Sequence, residues 1–421
     1  MPIAFSKKDL NSTAWFSLEK LIHLIAGIFI IPKIFNTLGT VDIGKLKFVE
    51  SVMGMFTPLF FLGLAAICIR EIVFKPSEAQ KIIATTFFLR IISWFITCSF
   101  ILIYLIFSDN ISLFWLYIII AVSYLFRLTD VFEFYLLAKK RAKLIFIGKT
   151  TSLFCIIALQ YYGVSAHWNV SYFAEIIALD FLLQGVFYIV ILSSKNELNL
   201  KEWHLDFNLA KQLLKMTLPL IISEALIMFY IGIDELFLKY FHNDHANGIF
   251  ASVQFLVIGI SWTLGFAIVN AIYPSLAESY KTNNKMYVLK NKQLCFTLLA
   301  LGVIIALIYT FFGNTILDTY FSEQYKEAKT ALHIFCWAPL FIFFGMLYEK
   351  HLLTTNRLQH NVYRFAIGCV INCILCYLLI PKYNVNGAAI AVLTSHFITN
   401  IGYIVIDNQS RKEIISLLKH T

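Results

Sequence analysis

Charged side chains lie inside long apolar stretches of this 421-residue sequence. A charge at the centre of a hydrocarbon layer costs at least ~2.5 kcal/mol unless it meets protein or water. In the first half these residues are Glu19, Lys20, His23, Lys33, Arg90, Arg127, Asp130, Glu133, Lys149, Glu175 and Asp180; in the second they are Glu224, Asp234, Glu235 and His333. The chain is thus polarised, with cations deep in the first half and mostly acids in the second. Several cations around a wet cavity have a physical use. They replace the hydration of a phosphate or pyrophosphate, Arg bidentately. Acids on the other side can carry a coupling proton or Na⁺, or accept sugar hydroxyls. Lys20, Arg90, Arg127 and Lys149 are therefore candidates for binding an anionic substrate, and Glu224 and Asp234 for coupling-ion or sugar contacts.

Each candidate has a plainer reading beside the functional one. Arg127 and Asp130 stand at i, i+3 on one helix face and can neutralise each other. Lys20 can pair with a nearby acid or snorkel to the interface, and Lys149, near the basic boundary, is expected to snorkel. Arg90 has no acid within a helical turn and is expected to line a wet cavity. Glu224, near mid-membrane beside Ser223, is expected to face a lumen. Asp234 lies about a turn from the outer boundary, so an interfacial role is open to it. His333 reads as a hydrogen-bonded core histidine.

The elements that position these residues follow from composition. Apolar residues make up 59% of the chain and charged residues 14%, against about 25% charged in a soluble domain. Apolar stretches of roughly 20 residues span the hydrocarbon core. The pattern predicts an all-α integral membrane protein of twelve spans: 14–37, 47–69, 81–107, 112–138, 142–162, 171–193, 213–238, 247–273, 292–316, 328–349, 361–381 and 386–406. No small-residue cleavage site follows Lys7 and Lys8, so the first span is expected to remain as an anchor. Lys and Arg crowd the N-terminus, the even-numbered loops and the C-terminus, densest at Lys139–Lys143 and Lys281–Lys292. Positive loops stay cytoplasmic, which predicts both termini inside. Topology accounts for the net charge of +9, so no nucleic-acid partner is expected; the basic loops suit anionic lipid.

The longest cytoplasmic connection between spans, Ser193 to Gln212, divides the chain into six plus six spans. The predicted lobes are 1–205 and 206–421, with Trp203 and Leu205 in the membrane interface. A weak internal repeat supports two similar halves. Aligned on their turns, LGTVDIGKLKFVESVM (from Leu38) and HNDHANGIFASVQFLV (from His242) place Gly44 and Gly248 at the same position. Pro219 and Pro274 are expected to mark the cytoplasmic ends of the spans flanking the second turn. Tyr161, Tyr162, Trp168 and Tyr172 read first as an aromatic belt, with sugar stacking as the alternative.

No P-loop, G-x-S-x-G or H-E-x-x-H occurs, so the residues give no sign of an ATPase or hydrolase. No cofactor is expected. Cys369, Cys373 and Cys376 share one helix face but no His or acid joins them, so a packing stripe is expected rather than a metal site.

The opening NSTAWFSLEKLIHLIAGIFIIPKIFNTLGTVDIGKLKFVESVMGMFTPLFFLGLAAICIREI resembles the start of polysaccharide flippases of the MOP superfamily, the Wzx-type O-antigen transporters. So do KMTLPLIISEALIMFYIGIDELFLKYF, NAIYPSLAES and IPKYNVNGAAIAVLTS, in that order. The resemblance covers essentially the whole chain; order and spacing carry it. It implies a V-shaped pair of six-helix bundles in a bacterial inner membrane. The implied activity is alternating-access transfer of an undecaprenyl-pyrophosphate-linked oligosaccharide from the cytoplasmic to the periplasmic leaflet. The implied cationic lumen suits Lys20, Arg90, Arg127 and Lys149. Functional association with an O-antigen polymerase and a chain-length regulator is implied too. Lipid II flippases of the superfamily have fourteen spans, which argues against that role. Two alternatives stand beside this reading: a MATE-like cation-coupled drug exporter, against which the cation-rich first half argues, and an O-antigen polymerase, for which a large periplasmic loop is missing.

Overall fold

A 49-residue helix would be about 73 Å long, more than twice a hydrocarbon core of ~30 Å. The first helix, α1 (Lys7–Met55), solves this with one break at Gly39, whose φ of 73° is a left-handed conformation that costs glycine little. Near the other end α15 (Gln359–Phe397) breaks in the same way at Asn384, with φ 50°. This computed structural model describes residues 7–108, 111–197, 203–409 and 411–412. Every element in it is helical. Ten described stretches are long and apolar enough to cross a membrane, or eleven if Ala328–Phe335 and Ala338–Thr354, bent by 42°, form one span. The twelve expected spans are therefore not all separate. Ser17–Met55 and Gln359–Ile406 each count as one stretch although a non-helical residue, Gly39 or Asn384, breaks them.

The chain forms two compact units, Phe48–Gly232 and Met1–Lys47 with Ile233–Thr421. The continuous unit contains α2 (Thr57–Phe61), α3 (Leu64–Phe74), α4 (Ala79–Phe107), α5 (Phe114–Phe126), α6 (Asp130–Ala138), α7 (Ala142–Ser165), α8 (Val170–Ser194) and most of α9 (Phe207–Phe241). Its core packs α8 against α5 and α7, and α4 against α2 and α3. Pro219 lies inside α9, twelve positions after Phe207, rather than at its start. The helix begins earlier because Asp206 caps it, accepting the Leu209 N–H at 2.8 Å.

The described ends of the long polar connection are held down. Arg141 Nη1 donates to both carboxylate oxygens of Glu197 at 2.7 Å. Lys81 pairs with Asp206 at 2.6 Å. Trp203 packs its ring on Phe87 at 5.5 Å and Phe132 at 5.7 Å, and its indole N–H donates to Gln80 Oε1 at 3.2 Å.

The split unit contains the first part of α1, the end of α9, α10 (Asp244–Gln254), α11 (Ile260–Thr282), α12 (Asn284–Tyr320), α13 (Ala328–Phe335), α14 (Ala338–Thr354), α15 and α16 (Tyr403–Ile406). Two π-helical turns interrupt it, Phe255–Gly259 and Ile398–Gly402. The repeat read from the sequence reappears here as a reciprocal contact. A Cβ on Gly44 would lie 1.8 Å from the Asp244 carbonyl oxygen, and a Cβ on Gly248 would lie 1.8 Å from the Thr40 carbonyl oxygen. Asn247 Nδ2 donates to the Gly44 carbonyl at 3.1 Å, and the Thr40 hydroxyl lies 2.6 Å from His245 Nδ1. The two turns thus pack backbone to backbone, which small residues permit.

Candidate functional site

Two breaks in the continuous unit bring its charges together. The first lies between α2 and α3. Pro58 at the start of α2 has no N–H to give, and Leu62 (φ 55°) and Gly63 (φ 56°) turn the chain left-handed before α3 resumes. The second lies between α5 and α6, where Arg127–Thr129 form a single 3₁₀ turn. Broken helices leave backbone carbonyls without helical partners, and within a membrane these need other donors. The unbroken helix α4 supplies donors at both breaks. Ser93 Oγ donates to the Leu59 carbonyl, and Trp94 Nε1 reaches the Ala121 carbonyl inside α5 at 2.8 Å. Arg90 donates through Nη1 to the Leu128 carbonyl at 3.5 Å and through Nη2 to the Arg127 carbonyl at 3.4 Å.

Arg90 is 2% exposed, and its Nε has no hydrogen-bond partner. Its guanidinium carbon stands 4.6 Å from the centroid of Phe61 and 5.5 Å from that of Phe134. Arg127 approaches the same Phe61 ring at 4.8 Å and Phe181 at 5.4 Å. Two cations therefore share one aromatic ring, which offsets part of their repulsion. They differ in access. The Arg127 side chain is 38% exposed and holds Asp130 through a single long contact of 3.3 Å. That expected i, i+3 pair is present. Glu224, exposed on α9, lies within the field of Arg127. Tyr124 closes the group, edge-on to Phe60 at 5.0 Å. An accessible guanidinium, loosely paired and backed by a second cation, is suited to exchange its carboxylate for another anion. Discontinuous helices line binding sites in many transporters.

The other sequence candidates have partners of their own. Lys149 binds Glu133 at 2.8 Å, with side chains 20% and 13% exposed, rather than snorkelling. Lys20 belongs to the split unit, 3.4 Å from Glu19, which His23 Nδ1 also meets at 3.4 Å. Asp234, also in the split unit, is 1% exposed. Its Oδ2 accepts from Gln254 Nε2 at 2.7 Å while Oδ1 has no partner. His333 pairs with Asn314 Oδ1 at 3.1 Å. The described residues contain no group of three His, Cys, Asp or Glu able to hold a metal; Cys376 bonds Asn372.

One buried cation was missed. Arg364 is 1% exposed. It donates through Nε to Asn361 Oδ1 at 2.7 Å and through Nη1 to Asn400 Oδ1 at 3.0 Å and the Gly345 carbonyl at 3.3 Å. It lies three residues inside an expected span, close to the basic loop before it. Asn400 reaches it from the π-helical turn, a feature with no sequence signature.

A family model described as polysaccharide biosynthesis protein matches residues 10–280. The capsular polysaccharide biosynthesis protein CapF of Staphylococcus aureus is 26% identical over 205 residues, 48% of this chain and 51% of that protein. An uncharacterised membrane protein of Methanocaldococcus jannaschii is 25% identical over 176 residues, 41% of this chain and 34% of that protein. The chain thus spans about half or less of the length of these curated relatives. Among solved structures, a MOP superfamily transporter from Pyrococcus furiosus superposes with a TM-score of 0.68 at 12% identity, covering 97% of each chain. A multidrug resistance MATE family transporter of the MOP superfamily matches in its outward-facing form (TM-score 0.68, 13% identity, 98% and 97% covered). An inward-facing MATE structure matches as well (0.67, 14%, 100% and 98%). At these identities the likeness is one of fold.

Proposed function

The chain belongs to the polysaccharide biosynthesis protein family, and from that premise we propose that it is a flippase for an undecaprenyl-pyrophosphate-linked oligosaccharide, an O-antigen-type repeat unit. In this reading it works in a bacterial inner membrane by alternating access, from the cytoplasmic to the periplasmic leaflet. The observation that carries it is the pair of guanidiniums on Phe61 at two helix breaks. Arg127 takes the pyrophosphate, releasing Asp130; Arg90 holds the carbonyls of the Arg127 turn and adds its charge behind it. Lys149 and Lys20 add positive potential along the path, each held by its own acid. Glu224 and Asp234 serve a coupling H⁺ or Na⁺, or sugar hydroxyls. The free Oδ1 of Asp234 supports that assignment. A polymerase and a chain-length regulator act on the product.

The test is transfer of a fluorescent undecaprenyl-pyrophosphate oligosaccharide across proteoliposomes holding wild type or Arg127→Ala. Wild type is expected to move it, and the variant, at equal protein level, to lose at least ~90% of the rate, since a charge-assisted hydrogen bond to phosphate contributes about 1.5–3 kcal/mol. Undiminished transfer in the variant removes Arg127 from the path. Export of an organic cation without glycolipid transfer would instead favour a MATE-like exporter.

A further inference from the structure

The end of the split unit is fastened on both sides of a π-helical turn. Within Ile398–Gly402, Asn400 Oδ1 accepts from Arg364 Nη1 at 3.0 Å. Gly345 on α14 makes room for it, since a Cβ there would stand 2.1 Å from that oxygen. Beyond the turn, α16 is tied to the far end of α15. Arg357, in the connection before α15, donates through Nη2 to Asp407 Oδ2 at 2.6 Å and to His360 Nε2 at 3.2 Å. His360 Nδ1 lies 2.9 Å from the Tyr403 hydroxyl and 3.5 Å from Asp407 Oδ2. The side chains of Arg357, Asp407 and His360 are only 11%, 10% and 20% exposed. Behind them Tyr403 and Ile404 close over the buried Tyr348 and Leu352 of α14. A π-helical turn interrupts the α-helical ladder, so α16 can bend away from α15 at that point.

The contacts fix the state of the ring. A guanidinium can only donate, so His360 Nε2 is an acceptor and the imidazole is neutral, with its proton on Nδ1. Histidine is the side chain that changes charge between about pH 5 and pH 8. A second proton would sit on Nε2, 3.2 Å from an Arg357 nitrogen that cannot accept it. Arg357 and a charged His360 would then compete for the Asp407 carboxylate they share. The neighbouring groups do not relieve this. Arg364, one turn along α15, is a further cation, and Glu349 of α14 lies toward it at 3.8 Å. Arg411 turns to Asn408 at 2.7 Å. Tyr363 meets the His360 ring edge-on at 6.0 Å.

We infer that Arg357, His360, Tyr403 and Asp407 form a pH-operated latch: with His360 neutral, α16 is shut against α14 and α15, and with His360 charged it swings out on the π-helical turn and uncovers Tyr348 and Leu352. The latch belongs to the split unit alone and holds whatever the protein carries. Amide hydrogen exchange reads it in full-length protein in detergent, at about pH 7.5 and about pH 5.5, on either side of the histidine range. Rates are divided by the intrinsic exchange rate at each pH. Residues 403–407 are expected to lose about tenfold in protection at the lower pH, the effect of one hydrogen bond to a charged group. Helix α8, in the other unit, is expected to show no change. His360→Gln cannot take up a charge and is expected to give residues 403–407 the same protection at both values, whatever its level. Asp407→Asn, which weakens the hold on Arg357, is expected to be open at both. Equal protection of wild type at the two values overturns the latch. So does a wild-type-like loss in His360→Gln, because another group then titrates. A matching loss in α8 overturns it as well, because the whole protein is then loosening, and full protection in Asp407→Asn shows that the carboxylate fastens nothing.

Discussion

Replacing Gly248 with alanine tests the packing of the two turns. The new Cβ would stand 1.8 Å from the Thr40 carbonyl oxygen, where ordinary contact begins at 3.4 Å. The backbones must part by about 1.6 Å, and neither side has a flexible side chain to yield. Ile43, Asn247 and Phe250 around the contact are 1%, 0% and 0% exposed, so there is no slack nearby. Overpacking of this kind costs about 1–3 kcal/mol. Losing the buried Asn247–Gly44 hydrogen bond adds about 1 kcal/mol. The sum is about 2–4 kcal/mol. With an unfolding entropy near 2.1 cal/mol/K per residue, that lowers Tm by roughly 2–5 °C. Scanning fluorimetry in detergent reads the shift directly. Gly44→Ala is expected to cost the same, since its Cβ meets the Asp244 carbonyl at the same 1.8 Å. The double variant should cost less than the sum, because the first substitution has already parted the backbones. Wild-type melting in both single variants, or strict additivity in the pair, would falsify the reciprocal contact.

Arg90→Ala strips donors from the Arg127 and Leu128 carbonyls and is expected to destabilise by about 2–5 kcal/mol, read as loss of monodisperse protein on gel filtration; unchanged yield would show that the α5–α6 turn holds without it. Lys149→Met removes the Lys149–Glu133 pair and should cost about 3 kcal/mol, most of it recovered in Lys149→Met/Glu133→Leu; a double variant no better than the single refutes the pairing. The Leu209 N–H, and then Lys81, hold the Asp206 carboxyl below its ordinary pKa. A lowered folded pKa contributes stability above the unfolded value of about 3.9 and loses it as pH falls through the folded one. Asp206→Asn, which keeps a capping oxygen but not the charge, should flatten that acid limb of a Tm–pH profile; an identical limb in both proteins counts against Asp206.

What was legible in the sequence was what a side chain announces within one turn. Arg127 and Asp130 could be paired from their spacing, and they meet at 3.3 Å. Gly44 and Gly248 could be matched from the repeat, and they occupy equivalent places in one contact. Lys149 and Glu133 were not paired, because sixteen residues and the turn between α6 and α7 separate them. The partners of Arg90 are carbonyls of a 3₁₀ turn, and carbonyls are present at every residue. The break at α2 did leave a trace. Pro58 and Gly63 bracket it, but inside an apolar stretch they read as one continuous span.

The split unit also sets an order of events during synthesis. Met1–Lys47 pack with Ile233–Thr421, and the intervening ~190 residues take roughly 10–40 s to make at 5–20 residues per second. For that interval α1 is in the membrane without its partners. Its eventual interior side carries Ile30, Ile34, Phe35 and Ile43, each no more than 9% exposed in the finished protein. Those residues dissolve in lipid as readily as they later pack against protein, so the early helix can wait in the bilayer at little cost. Polar substitutions on that side would be felt first by the nascent chain, before the folded protein exists to show them.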